Sequence, residues 1–158
     1  MPDPQGFAEI NMKKCVSFAI LCALLAGCTS TVATSGIEGV IFPARKADFA
    51  MEVTGRKDAQ GWTPSKTEIA KAMPQIKTFL GKQAPSIASS LQEYRCQYFG
   101  VVVDGKKRIY CNFFRRSSWD EGWRIEPVFV LDGGDDFFQL EYDVKSKQCL
   151  NFTVNGEA

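Results

Sequence analysis

The residues able to do chemistry are few, and their types narrow what that chemistry can be. The chain has 158 residues and no histidine. That removes Ser-His-Asp catalysis, a His-activated thiol and the usual His-bearing zinc sites. Three acids, Asp132, Asp135 and Asp136, surround Gly133-Gly134. They could form a carboxylate pair for acid–base hydrolysis or a cation site. The run D-G-G-D-D lacks the longer alternating ligand pattern of a calcium loop, and Asp and Gly are also the ordinary residues of a solvated turn. Trp119-Asp120-Glu121-Gly122-Trp123 places two indoles around two carboxylates. That composition suits recognition of a sugar or a protein, or else the closing of an open core end. Arg115-Arg116 could meet an anionic partner, lipid headgroups included, or end a strand in solvent.

Six cysteines divide into two groups. Cys15 and Cys22 sit in an apolar N-terminal run, and Cys28 follows directly after it. Cys96, Cys111 and Cys149 remain for the domain. Three thiols allow one disulfide at most. Cys96 and Cys111 fall on adjacent predicted strands, offset from one another, so a bridge from Cys149 to either of them is equally open. There is no C-x-x-C spacing, and neither a metal nor a cofactor is expected.

The N-terminal run reads as an address. Lys13-Lys14 precede the uncharged stretch CVSFAILCALL (Cys15–Leu25), and small residues Ala26-Gly27 lie before Cys28. A basic patch, an apolar core of about ten residues and a small-residue cleavage site define a secretory signal. The stretch is shorter than the roughly twenty residues that span a bilayer. Leu25-Ala26-Gly27-Cys28 resembles the lipobox of bacterial lipoproteins. The resemblance implies cleavage before Cys28 and acylation of its thiol, and Thr29 in place of an Asp points to the outer membrane, facing the periplasm. Asp3 and Glu9 are out of place in a signal, so Met12 is the expected translation start. The expected organisation is a signal peptide over 1–27, a lipid anchor and flexible Ser/Thr/Gly-rich tether over 28–39, and one globular domain over 40–158.

Within that domain Trp62 to Leu80 carries the clearest helical pattern. Ser65 and Glu68 match a capping box, and Ile69, Ala72, Met73, Ile76, Phe79 and Leu80 make one apolar stripe. Pro74 should kink or split the helix, and Gly81 should end it. Pro85 suits the start of a second short helix. Val40–Phe42 reads as a short strand, and Ala47–Val53 as a short helix or strand. Strands are then expected at Tyr94–Val103, Arg108–Arg115, Ile125–Leu131, Phe137–Asp143 and Cys149–Val154, with Asp104-Gly105 as a hairpin turn. The expectation is an α+β domain: an N-terminal helix, kinked or split, packed on a 4–5-stranded antiparallel β-meander.

The segments WTPS, QYFG, DGKKRIYCNFF, VLDGG, FFQLEYD and the terminal VNGEA resemble a group of small exported or lipid-anchored bacterial proteins. The similarity spans roughly residues 62–158 and implies no activity. Arg115 and Asp135 stand where members of the group often carry cysteines, so a disulfide of that group does not transfer. A formal net charge of +1 argues against nucleic acid, whose affinity rests on many cations facing phosphates. The expected function is non-catalytic: a membrane-anchored binding module of the cell envelope with a protein or glycan partner. The alternatives are an inhibitor or immunity-type module acting on an envelope hydrolase, and an Asp-based hydrolase.

Overall fold

The computed structural model describes residues 28–118 and 122–156. The expected signal peptide and start at Met12 lie outside the described residues. The expectation of an α+β helix-on-meander fold is overturned: the chain is mostly β, built on one seven-stranded mixed sheet. Its strands are β1 (Ser30–Thr34), β2 (Ile37–Ile41), β3 (Gln60–Trp62), β4 (Tyr94–Val103), β5 (Lys106–Arg115), β6 (Phe137–Asp143) and β7 (Gln148–Val154). The order across the sheet is β1-β2-β4-β5-β6-β7, with β3 also paired to β4.

Two features separate this sheet from a meander. The stretch expected as a tether supplies β1 and the start of β2, an antiparallel hairpin turned at Ser35-Gly36. Its small residues pack as an edge pair where composition alone suggests a linker. Then β2 joins β4 in parallel, Glu38 opposite Arg95 and Ile41 opposite Tyr98. A parallel pair needs a long crossover, and the chain between β2 and β4 provides it: α1 (Asp48–Val53), β3, α2 (Lys66–Gln83) and α3 (Pro85–Ser89). Beyond the end of β2, β3 takes over the same edge of β4. Gly100 makes that possible, because a Cβ there would collide with the Trp62 carbonyl and indole.

The capping box forms as expected, with the Ser65 hydroxyl accepting from the Glu68 N–H and the Glu68 carboxylate accepting from the Ser65 N–H. Pro74 neither splits the helix nor ends it, and Gly81 lies inside it. Pro74 faces solvent, and the Thr78 hydroxyl donates to its carbonyl at 2.9 Å. Packing of Ile69, Ala72, Met73, Ile76 and Leu80 on the sheet outweighs the one backbone bond that proline removes.

Period-two alternation sorts the long strands onto two faces. One face carries Cys96, Tyr98, Ile109, Cys111, Phe113, Phe138, Leu140 and Tyr142 against α2 and α3. The other carries Val40, Phe99, Val101, Tyr110, Phe114 and Phe137 against α1 and Trp123. Residues 125–131, expected as a strand, are not in the sheet. The chain first turns, with the Gly122 carbonyl accepting from the Ile125 and Glu126 N–H groups. From Pro127 on it crosses the second face as a strap, because Pro127 has no N–H for a ladder and side chains from the sheet already hold the alternate carbonyls (below). Since the helix tolerates Pro74 at a cost, Pro74→Ala should raise stability by about 1–2 kcal/mol, the restored hydrogen bond being partly offset by a more flexible unfolded chain. Urea denaturation measures this; an unchanged or lowered midpoint would show that the ring is needed where it is.

Candidate functional site

The second face of the sheet carries a row of carboxamides. Register places Gln97 of β4 opposite Asn112 of β5, and Asn112 opposite Gln139 of β6. Asn155, just after β7, extends the row. The Asn112 amide donates to the Gln97 carbonyl oxygen at 3.2 Å. The Gln139 amide donates to the Asn112 oxygen at 3.4 Å and to the Asn155 oxygen at 3.1 Å. Gln97 and Asn112 are buried, so every polar atom here needs a partner.

The chain from Trp123 to Asp132 supplies the remaining partners. Gln97 donates to the carbonyls of Trp123 (2.6 Å) and Glu126 (2.8 Å) and accepts from the Val128 N–H at 2.8 Å. Asn112 donates to the Val128 carbonyl at 2.8 Å. Asn155 donates to the carbonyls of Val130 (2.6 Å) and Asp132 (3.2 Å). Carbonyls 126, 128, 130 and 132 all point one way, which is the mark of extended backbone. Phe129 (58% exposed) and Leu131 (78%) face outward here, as does Ile125 (64%) in the turn before them, while Val128 is buried. No backbone partner meets the N–H or carbonyl of Phe129 or Leu131 among the described residues.

Beside this strap lies a groove of about 580 Å³. Its floor is Tyr110, Gln139 and Glu141, and its apolar walls include Phe49, Val53, Phe129 and Leu131. Phe49 of α1 meets Phe129 edge-on at 6.3 Å. The Glu141 side chain is 1% exposed and is held by two guanidiniums, Arg56 and, at 3.0 Å, Arg108. A buried carboxylate needs such partners; this one ties the loop after α1 to β6 and closes one end of the groove. Burial pushes the Tyr110 hydroxyl far above its ordinary value, so it stays a donor at neutral pH.

The sequence-predicted candidates fall elsewhere. Trp119, Asp120 and Glu121 lie outside the described residues. Of the two readings open for Trp123, a ligand contact or a residue that closes the core end, the structure shows the second: it is a core residue, packed on Phe114 with Arg95 and Arg124 over its ring. Gln97 holds its carbonyl and draws the ring inward. The acid cluster does not converge. Asp136 accepts from Ser118 at 2.6 Å and from Arg115 at 2.6 Å, and these bonds hold its carboxyl below the usual range, opposite to what an acid catalyst needs. The Asp132 and Asp135 carbonyls accept from Asn155 and Tyr94. Among the described residues no cluster of His, Cys, Asp or Glu could hold a metal.

Arg115 is ion-paired to Glu93 and Asp136, and Arg116 donates to the Gly36 carbonyl. Cys28, Cys96, Cys111 and Cys149 are free thiols, so no expected bridge is formed. Cys96 and Cys111 are buried beneath the helices, and burial pushes the Cys149 thiol up to about 12. The residues sequence reasoning missed are Gln97, Asn112, Gln139, Asn155, Phe129 and Leu131. Comparison with protein-family models, curated proteins and solved structures gave no match, so the functional reading rests on this geometry.

Truncating the first rung tests the arrangement. Gln97→Leu leaves the Val128 N–H and the carbonyls of Trp123 and Glu126 without that partner, each orphaned group costing about 1–3 kcal/mol. The variant should lose at least that much stability in urea and should expose the strap to protease before the sheet unfolds. A variant as stable and as resistant as the parent would show that the row does not hold the strap.

Proposed function

We propose that the protein is a non-catalytic binding module of the cell envelope, anchored by an acylated Cys28, that captures an extended segment of a partner protein in the groove beside the strap. The observation that carries the reading is the strap itself. Three of the four large hydrophobic side chains exposed among the described residues, Ile125, Phe129 and Leu131, project from one short segment; the fourth, Val53, lines the same groove. Scattered surface hydrophobics are ordinary, but a concentration of them beside a groove marks a protein-binding surface.

The backbone supplies the mode. Among the described residues the N–H and carbonyl groups of Phe129 and Leu131 have no backbone partner; that stretch is an open edge, and a partner strand can satisfy it while its side chains enter the groove. The groove walls of Phe49, Val53, Phe129 and Leu131, with no indole among them, favour a protein over a glycan. The same rigidity favours, as a second reading, an inhibitor that presents the strap to the cleft of an envelope hydrolase. Backbone pinned in advance loses less entropy on binding.

Affinity capture from envelope extract, run with the parent and with Phe129→Ser/Leu131→Ser, tests both. The parent should recover a partner that the variant recovers at least tenfold less, with Tm unchanged because both side chains are outside the core. Equal recovery would overturn the groove as the binding site. A captured hydrolase whose activity falls on adding the parent would select the inhibitor reading. In the same cells Cys28→Ala should move the protein from the membrane to the soluble fraction; if it stays with the membrane, the anchor is not Cys28.

A further inference from the structure

The sheet sorts its unpaired cations to one end. Two hairpin turns lie side by side there, Asp104-Gly105 between β4 and β5, and Val144–Lys147 between β6 and β7. Arg108 is paired with Asp143 in register, and the Val144 N–H donates to the Lys107 carbonyl at 3.1 Å, which locks the turns together. They carry Lys106, Lys107, Lys145 and Lys147, all exposed. Lys107 lies over the Trp62 ring at 4.6 Å, and none of the four ammonium groups has a carboxylate partner among the described residues. Of the two acids in these turns, Asp104 is exposed, while the Asp143 carboxylate is buried and accepts the Lys145 and Ser146 N–H groups. The opposite end differs in kind: Arg95 and Arg124 are paired with Glu38, Arg115 with Glu93 and Asp136, and Arg116 donates to the Gly36 carbonyl.

The chain enters the fold at the lysine end. β1 is antiparallel to β2, and β2 is parallel to β4, so the residues before Ser30 point the way β4 runs, towards Asp104. Ser30 pairs with Ile41, which pairs with Tyr98, five residues before Val103. At about 3.3 Å per residue, Cys28 and the tip differ by roughly 10 Å along the strands. That is about one Debye length, within which anionic headgroups attract cations.

We propose that this tip, Lys106, Lys107, Lys145 and Lys147, is a membrane-docking surface that rests on anionic lipid headgroups. The choice of lipid surface rests on the acylated-Cys28 reading, which places a bilayer two residues from the fold. Docking there holds the strands upright on the membrane and turns the arginine-paired end away from it.

Vesicle co-sedimentation of the chain from residue 28 onward carrying Cys28→Ser, so that neither an acyl group nor the apolar run Cys15–Leu25 contributes, tests the surface apart from the anchor. The probes are phosphatidylcholine vesicles and phosphatidylcholine vesicles with 30% phosphatidylglycerol, at low salt and at 0.5 M salt. The protein should bind the anionic vesicles, release them at high salt and ignore the neutral ones. Replacing the four tip lysines by Glu should weaken binding at least tenfold, while Lys71→Glu/Lys77→Glu/Lys82→Glu on the exposed side of α2 should weaken it much less, with circular dichroism of both unchanged. Equal binding to both vesicle types, or equal losses in the two variants, would overturn the proposal. If Cys28→Ala releases the protein from cell membranes but these vesicles do not bind it, the anchor stands and the docking surface falls; the reverse result separates them the other way.

Discussion

A buried carboxamide cannot be left half-satisfied, and this fold places two of them, Gln97 and Asn112, side by side in the middle of a sheet. Transfer of an amide out of water without partners costs several kcal/mol. The sheet cannot supply those partners alone, because β-ladder bonds use backbone and leave side chains to find their own. The segment from Trp123 to Asp132 supplies them. The amides need carbonyls and an N–H, and the segment needs something to replace the strand neighbour it does not have. Each makes the other tenable.

Much of the second face follows from that exchange. With carbonyls 126, 128, 130 and 132 directed at the row, Val128 is turned under the strap and Phe129 and Leu131 are turned out. The Gln97 bond to the Trp123 carbonyl seats the indole in the core, where Phe114, Arg95 and Arg124 surround it. The strap stops short of Tyr110 and Glu141, so that part of the sheet remains open as the groove floor. The other face obeys simpler rules: an amphipathic helix covers a hydrophobic sheet, and the thiols of Cys96 and Cys111 are small apolar filling.

What could be read from the residues was local. The Ser65/Glu68 box, the apolar stripe from Ile69 to Leu80 and the Asp104-Gly105 turn each carry their cause within a few positions. The failures share a different character. Ile125–Leu131 ends in the β-branched and aromatic run Val128–Leu131, which reads as a strand, but composition reports only that such residues suit extended backbone; it cannot say whether a neighbouring backbone or a row of side-chain amides holds the segment extended. Gln97, Asn112 and Gln139 look like unrelated polar positions until register aligns them, and register between β4, β5 and β6 is set by the whole sheet. Ser30–Thr34 has a linker's composition, and only its pairing with β2 makes it a strand. The parallel β2–β4 contact joins residues too far apart for any local pattern to announce. The row of amides was therefore hidden for the same reason as the fold class: both are properties of pairing, while the helix is a property of sequence.

Residue-resolved amide hydrogen exchange tests most directly whether the amides hold the strap. The Val128 N–H donates to the buried Gln97 oxygen, while those of Phe129 and Leu131 have no backbone partner among the described residues. Val128 should exchange slowly, at a rate set by opening of the sheet's second face, and Phe129 and Leu131 should exchange near the rates of an unstructured peptide. Gln97→Leu should bring Val128 up to the rate of its neighbours. Uniform rates across residues 128–131 in the parent, or a Val128 that stays slow after Gln97→Leu, would contradict the account.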